Sequence, residues 1–144
     1  MKRIIIGIAA VLAVSGGIAA ATPSRGYVAK ALGSTTIDSL SIQPSGESVA
    51  LFVRATIEDD GTTGWHSHPA DVFVLVRQGT VAVRDGATCT RTIYNEGDVF
   101  VEMPGHVHKA SNVGEDEKVV LLATFVGLPP DTPPTTDEAN PCLP

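Results

Sequence analysis

Between Thr22 and Pro129 the apolar residues rarely recur at helical spacing; they come in short alternating or continuous runs. In Val49–Ile57 the odd positions Val49, Leu51, Val53, Ala55 and Ile57 share one face, while Arg54 and Thr56 share the other. The same reading predicts strands at Thr36–Ile42, Gly64–His68, Val72–Arg77, Thr80–Arg84, Thr90–Tyr94, Asp98–Met103, His106–Ser111 and Lys118–Val126. The run VVLLATFV (Val119–Val126) is apolar on both faces, which suits a central strand. Phe73, Val74 and Val76 read as core by the same criterion. Between the runs lie QPSGES, EDDGTTG, RQGT, RDGATC, YNEGD, MPG and NVGEDE. Each carries turn chemistry: Gly for positive φ, Asn or Asp for local side-chain bonds, Pro for a fixed φ. Short, evenly spaced strands of this kind predict one all-β domain, a small antiparallel barrel or sandwich over residues 22–128.

Charge narrows the partners. Ten Lys+Arg stand against sixteen Asp+Glu, and no basic cluster follows Arg3, so nucleic acid is not an expected partner. The first 21 residues read as a signal peptide: Lys2 and Arg3, an apolar stretch from Ile4 to Val14, then Ala19-Ala20-Ala21 as a cleavage site. The competing reading is an uncleaved anchor, but the stretch from Ile4 to Ala21 is short and is broken by Ser15, Gly16 and Gly17. Cleavage leaves no stable membrane anchor and sends the chain to a secreted or periplasmic, extracytoplasmic location.

That location changes the meaning of the two cysteines. In an exported chain, Cys89 and Cys142 are expected to pair in a disulfide. Cys142 lies in a tail, 129–144, that holds six of the ten prolines and could bury little by itself. A bridge would tether it and close a loop worth about 4 kcal/mol in the chain-entropy picture. Two unrelated thiols, one buried and one exposed, are the alternative.

All four histidines fall in two H-x-H pairs, His66/His68 and His106/His108, 40 residues apart. Alternation along a strand aims both imidazoles of a pair to one side, and imidazole is the commonest protein metal ligand. Iron, manganese, nickel, copper and zinc all accept such donors, so the residues leave the divalent ion's identity open.

The spacing around these pairs resembles the two motifs of the cupins, G-x5-H-x-H-x(3,4)-E-x6-G and G-x5-P-x-G-x2-H-x3-N. The first is matched by His66-Ser67-His68 and Gly79, the second by Gly97, Gly105, His108 and Asn112. Three positions depart: Asp60 stands at the first glycine, Met103 at the proline (with Pro104 beside it), and Val72 at the glutamate. The resemblance implies a small conical, jelly-roll-like antiparallel β-barrel, with His66, His68 and His108 as the metal ligands. It also makes a homodimer an expectation. Without the glutamate, three neutral ligands leave the ion's charge uncompensated and keep positions open, as in some non-haem iron dioxygenases of this family.

Other residues near the motifs are candidates for the same site. His106 shares parity with His108, so it is a candidate fourth ligand, hydrogen-bond donor or catalytic acid/base; a turn residue on the rim is the alternative. Asp71 has the wrong parity relative to His68 and should face away unless Pro69 shifts the register. Glu102, just before the turn, reads as a solvated strand residue. Trp65, of opposite parity to the ligands, should pack or line the rim. Two functions remain open: a metal-dependent dioxygenase acting on a small molecule, and a non-catalytic protein that binds a metal or small ligand.

Overall fold

The architecture comes from a computed structural model, and the described residues are 31–37, 46–115 and 117–143. They form nine strands: β1 (Val49–Ile57), β2 (His66–Ser67), β3 (Asp71–Gln78), β4 (Val81–Asp85), β5 (Arg91–Tyr94), β6 (Val99–Glu102), β7 (His108–Asn112), β8 (Val119–Leu128) and β9 (Thr136–Asp137). One antiparallel sheet has the order β1-β8-β3-β6, the other β5-β4-β7-β2-β9. Strand pairing does not close the two sheets into a single barrel among the described residues. The described residues are all-β, and the two sheets share one core.

That core follows from the alternation. The inner faces contribute Val72, Val74 and Val76 from β3, Phe100 from β6, Leu121 and Phe125 from β8, Val81 from β4 and Ala110 from β7. Each fully buried valine contributes about 1.5–3 kcal/mol. As expected, β8 is central, hydrogen-bonded to β1 on one side and β3 on the other. Phe73 corrects one core assignment. It is only partly buried, on the opposite side of β3 from Val72 and Val74. A run apolar at every position does not say which face turns inward; here the outer face is apolar too, with Phe52 76% exposed and Leu122 36% exposed.

Two strands are shorter than the sequence suggested, and both shortenings matter. The pairing of β2 covers only His66 and Ser67. Gly64 bends the chain before it at a φ of 73°, and Pro69, which cannot donate a ladder bond, follows. On the other side, His106 lies in a turn whose amide donates to the Met103 carbonyl (3.2 Å), and β7 begins at His108. In the expected strand Thr36–Ile42, Thr36 and Ile37 are not in a strand; the rest lies outside the described residues, as does the signal segment 1–21.

The glycine and asparagine positions find physical reasons. Asp60, at the first motif's glycine position, keeps a φ of 56°, a left-handed backbone that Asp tolerates better than most residues. Gly79 has a φ of 80°, and a Cβ there would come within 2.8 Å of the Lys118 carbonyl. Asn112 is buried and works as a pin: its Nδ2 donates to the carbonyls of Glu58 (3.1 Å) and Glu117 (2.6 Å), and its Oδ1 accepts from the Gly114 amide (2.9 Å).

The tail is exposed along most of its length, yet it is ordered against the body by a Cys89–Cys142 disulfide. Its anchor is a tight turn in which the Asp85 carboxylate accepts the amides of Ala87 and Thr88, both at 2.8 Å. Those bonds, the Thr88 amide first, hold the Asp85 carboxyl below its ordinary range. From this anchor the tail reaches back so that β9 adds to the free edge of β2, Asp137 opposite His66 and Thr136 opposite Ser67.

Candidate metal centre

Strand register brings the histidines together. His66 lies directly opposite His108 in the β2–β7 pair, and antiparallel partners project to the same face. His68, two residues on from His66, joins them. The three rings form a mutual cluster with centroids 4.4–5.1 Å apart. All three are buried, and one ring nitrogen from each lies within 4.8 Å of the others.

Every Nδ1 is already occupied by a backbone carbonyl. His66 donates to Gly64 (3.1 Å), His68 to Pro134 (2.8 Å) and His108 to His106 (2.9 Å). These bonds place the ring proton on Nδ1 and leave Nε2 as the free donor to a metal, the usual way a protein orients imidazole ligands. Nε2 of His108 is buried without an aligned hydrogen-bond partner. Two ligands each about 2.1 Å from one ion are at most about 4.2 Å apart. For neighbouring ligands at 90–109°, about 3.0–3.4 Å apart, the widest separation of 4.8 Å must close by about 1.4–1.8 Å on binding, a movement of the rings. A divalent ion fits this donor set.

A carboxylate also faces the cluster. Glu102, with its side chain only 12% exposed, places Oε2 3.2 Å from His68 Nε2 and Oε1 3.0 Å from His108 Nε2. The His108 approach lies off the ring N–H axis, so it is a close charge contact and not an aligned hydrogen bond. Burial alone would raise the Glu102 carboxyl, but its contacts with His108 and His68 override this and hold it at about 2. For His108, burial pulls downward, and the Glu102 carboxylate more than offsets it, leaving the imidazole raised. His66 lacks so close a carboxylate and is lowered, chiefly by burial. The expectation that Glu102 is solvated is thus corrected. Period-two alternation along β6 was the available signal, since Phe100, two residues earlier, is core.

The remaining candidates lie elsewhere. His106, in its turn, is not part of the trio; its Nε2 lies 2.7 Å from Asp85 Oδ2 and its side chain is 38% exposed. It does line a cavity of about 140 Å³ that also touches His108, Glu102 and Tyr94. Asp71 is buried but stands on the face of β3 opposite Val72, outside the trio, as its parity suggested. Trp65 is half-buried, with Lys109 Nζ 5.5 Å from its ring centre. On the other side of the trio is an apolar cavity of about 200 Å³ walled by Val53, Val72, Val74, Leu121 and Phe125, with His66, His68 and Glu102 at its polar end.

Comparison with known proteins places this arrangement. The cupin-domain family profile matches residues 53–125, just over half of the chain. No curated protein sequence matches. Among solved structures, a cupin-like protein from Thermotoga maritima is 22% identical over 63% of this chain and 65% of its own, with a TM-score of 0.54. Oxalate decarboxylase from Bacillus subtilis, a protein with Mn(II) centres, is 21% identical over 62% of this chain and 24% of its own, with a TM-score of 0.54. The polyketide cyclase RemF from Streptomyces resistomycificus is 16% identical over 68% of each chain, with a TM-score of 0.53. The chain thus spans less than two thirds of the T. maritima protein and about a quarter of the decarboxylase, and at these identities the likeness is one of fold. With a matching domain profile over just over half of the chain, a shared fold and His66, His68 and His108 at the motif positions, the chain belongs to the cupin family.

Proposed function

We propose that this protein is an exported cupin that binds one divalent metal through His66, His68 and His108 and presents it to a small molecule in the apolar cavity. The supporting observation is the set of three Nδ1–carbonyl bonds, which leaves Nε2 free on three buried rings whose nitrogens lie within 4.8 Å of one another. Such an ion supplies a Lewis acid that polarises an oxygen of a chelating molecule. The chain's own residues select what reaches it. At about 200 Å³ the cavity is below the usual range for drug-sized ligands, and its walls are aliphatic and aromatic, so a small, largely apolar molecule with a chelating end fits. His106, on the smaller cavity and paired with Asp85, is placed to carry a proton between that cavity and solvent.

The reaction class proposed is metal-dependent, dioxygenase-like oxidation. The Mn(II) centres of a protein with the same fold keep manganese beside iron, nickel, copper and zinc among the candidate ions. The disulfide favours export, because such bridges persist in oxidising compartments. The test is elemental analysis of the secreted protein beside His108→Ala, followed by oxygen uptake with diols, diketones and thiols. About one equivalent of ion in the wild type and loss of it in the variant are expected. Equal metal content in both would overturn the centre, and uptake at the buffer rate with the site loaded would overturn the oxidation. A non-catalytic binding role is the second reading, favoured by the small cavity, and a small molecule that co-purifies without turnover would establish it.

A further inference from the structure

Glu102 poses a problem once a metal binds the three histidines. Its two oxygens approach His68 and His108 at Nε2, not at Nδ1. A carboxylate that merely orients a ligating histidine takes the nitrogen the metal does not use, and here those nitrogens are all committed to carbonyls. Once an ion occupies Nε2, neither ring has a proton to offer Glu102. The carboxylate would then be a buried charge without a partner, which costs several kcal/mol.

The distances point the same way. Two ligands each about 2.1 Å from one ion, at 90–109° to each other, lie about 3.0–3.4 Å apart. The Glu102 oxygens stand 3.0 and 3.2 Å from the two nitrogens, the separation of neighbours in one coordination sphere.

We infer that Glu102 is the fourth protein ligand of this centre, delivered by β6. The cross-strand register explains how it arrives. Glu102 is the antiparallel partner of Val72, so the two side chains share a face and begin about 5 Å apart. Val72 is the position at which the first motif expects a glutamate, and the acid stands on the facing strand. Both residues line the same cavity. The ion then carries one net positive charge and not two, which would favour neutral or singly anionic small molecules. This inference rests on the three-histidine reading, and the experiment separates their failures.

Metal-stripped protein is titrated with Co(II), whose visible absorption reports both affinity and coordination. The proteins are the wild type, Glu102→Gln, His108→Ala, and Glu102→Gln carrying Val72→Glu. Glu102→Gln should bind Co(II) at least ~10-fold more weakly, with altered bands; recovery of affinity on adding Val72→Glu would support the exchange of strands. Unchanged affinity and bands in Glu102→Gln, with binding abolished in His108→Ala, would overturn the fourth ligand and leave the three-histidine centre standing. No Co(II) binding by the wild type would overturn both. Should Glu102→Gln fail to fold, infrared difference spectra of wild type labelled with 13C-glutamate decide: a carboxylate stretch shifted by Co(II) saturation supports the ligand, an unshifted spectrum overturns it.

Discussion

The two strands that carry the histidines are built very differently. The strand β7 is embedded: it pairs with β4 over five residues, from Val81 opposite Asn112 to Asp85 opposite His108. Asn112 pins its far end to two segments of the chain, Ile57–Glu58 and Glu117. By contrast β2 is two residues long, and one of its two neighbours is the tail strand β9. Tail contacts also supply the Pro134 carbonyl for His68, the Glu138 carboxylate for Ser67 Oγ (2.7 Å) and the Glu138 amide for the Trp65 carbonyl (2.9 Å). One half of the centre is therefore held by the body of the domain. The other half is held by a tail segment that a disulfide and a few hydrogen bonds keep in place.

The largest effect should come from releasing that segment. The Cys89–Cys142 bridge closes a loop with a sequence separation of 53, worth about 4 kcal/mol in the chain-entropy picture. Cys89→Ser combined with Cys142→Ser should cost up to that amount by denaturant unfolding. The loss should be local first. Hydrogen exchange should rise across residues 64–69 while residues 108–112 stay protected. Metal affinity should also fall, because His68 loses the acceptor that fixes its proton on Nδ1. Equal exchange in both segments would mean that the two strands are not independently supported.

The mirror experiment attacks the embedded strand. Asn112→Ala removes donors to the carbonyls of Glu58 and Glu117 and the acceptor for the Gly114 amide, leaving partly buried backbone groups unpaired. A loss of about 3 kcal/mol is expected. Here the damage should be global, a lower denaturant midpoint without selective exposure of residues 64–69. If Asn112→Ala frays only its own loop, β7 is held by its strand pairing and not by the Asn112 pin.

This asymmetry marks where the sequence could be read. Alternation in Val49–Ile57 correctly placed the buried face of β1, and the spacing of Gly79, Gly97 and Asn112 correctly marked the turns around the histidines. Those features are local, set by period-two geometry and by φ. What escaped depends on pairing between distant segments. No pattern in a proline-rich tail says that it will add a strand to β2 and lend a carbonyl to His68. The position of His106 turned on whether the Met103–Gly105 turn runs one residue further, which decides whether strand parity applies to it at all. Glu102 was half legible: Phe100 fixes its face, but only the β3–β6 register puts it opposite Val72 and within reach of the rings.

The last and smallest effect concerns the tie between the two strands. In the metal-free protein Glu102 contacts His68 beside β2 and His108 at the start of β7, so it couples the contingent half of the centre to the embedded one. Its carboxyl is held at about 2 against an ordinary 4.5. A depressed acid contributes stability that is fully present above its unfolded value and is lost as pH falls through its folded one. For Glu102 the window runs from 4.5 down to about 2. Stability of the metal-free wild type should fall across that window by on the order of 1–3 kcal/mol more than that of Glu102→Gln, whose side chain does not titrate. Denaturant midpoints at pH 5.5, 4 and 3 check this. Parallel curves for the two proteins would mean that the carboxylate does not join the strands without metal. A steeper wild-type curve, with exchange rising first at residues 64–69, would show that the weaker half of the centre leans on the acid that β6 supplies.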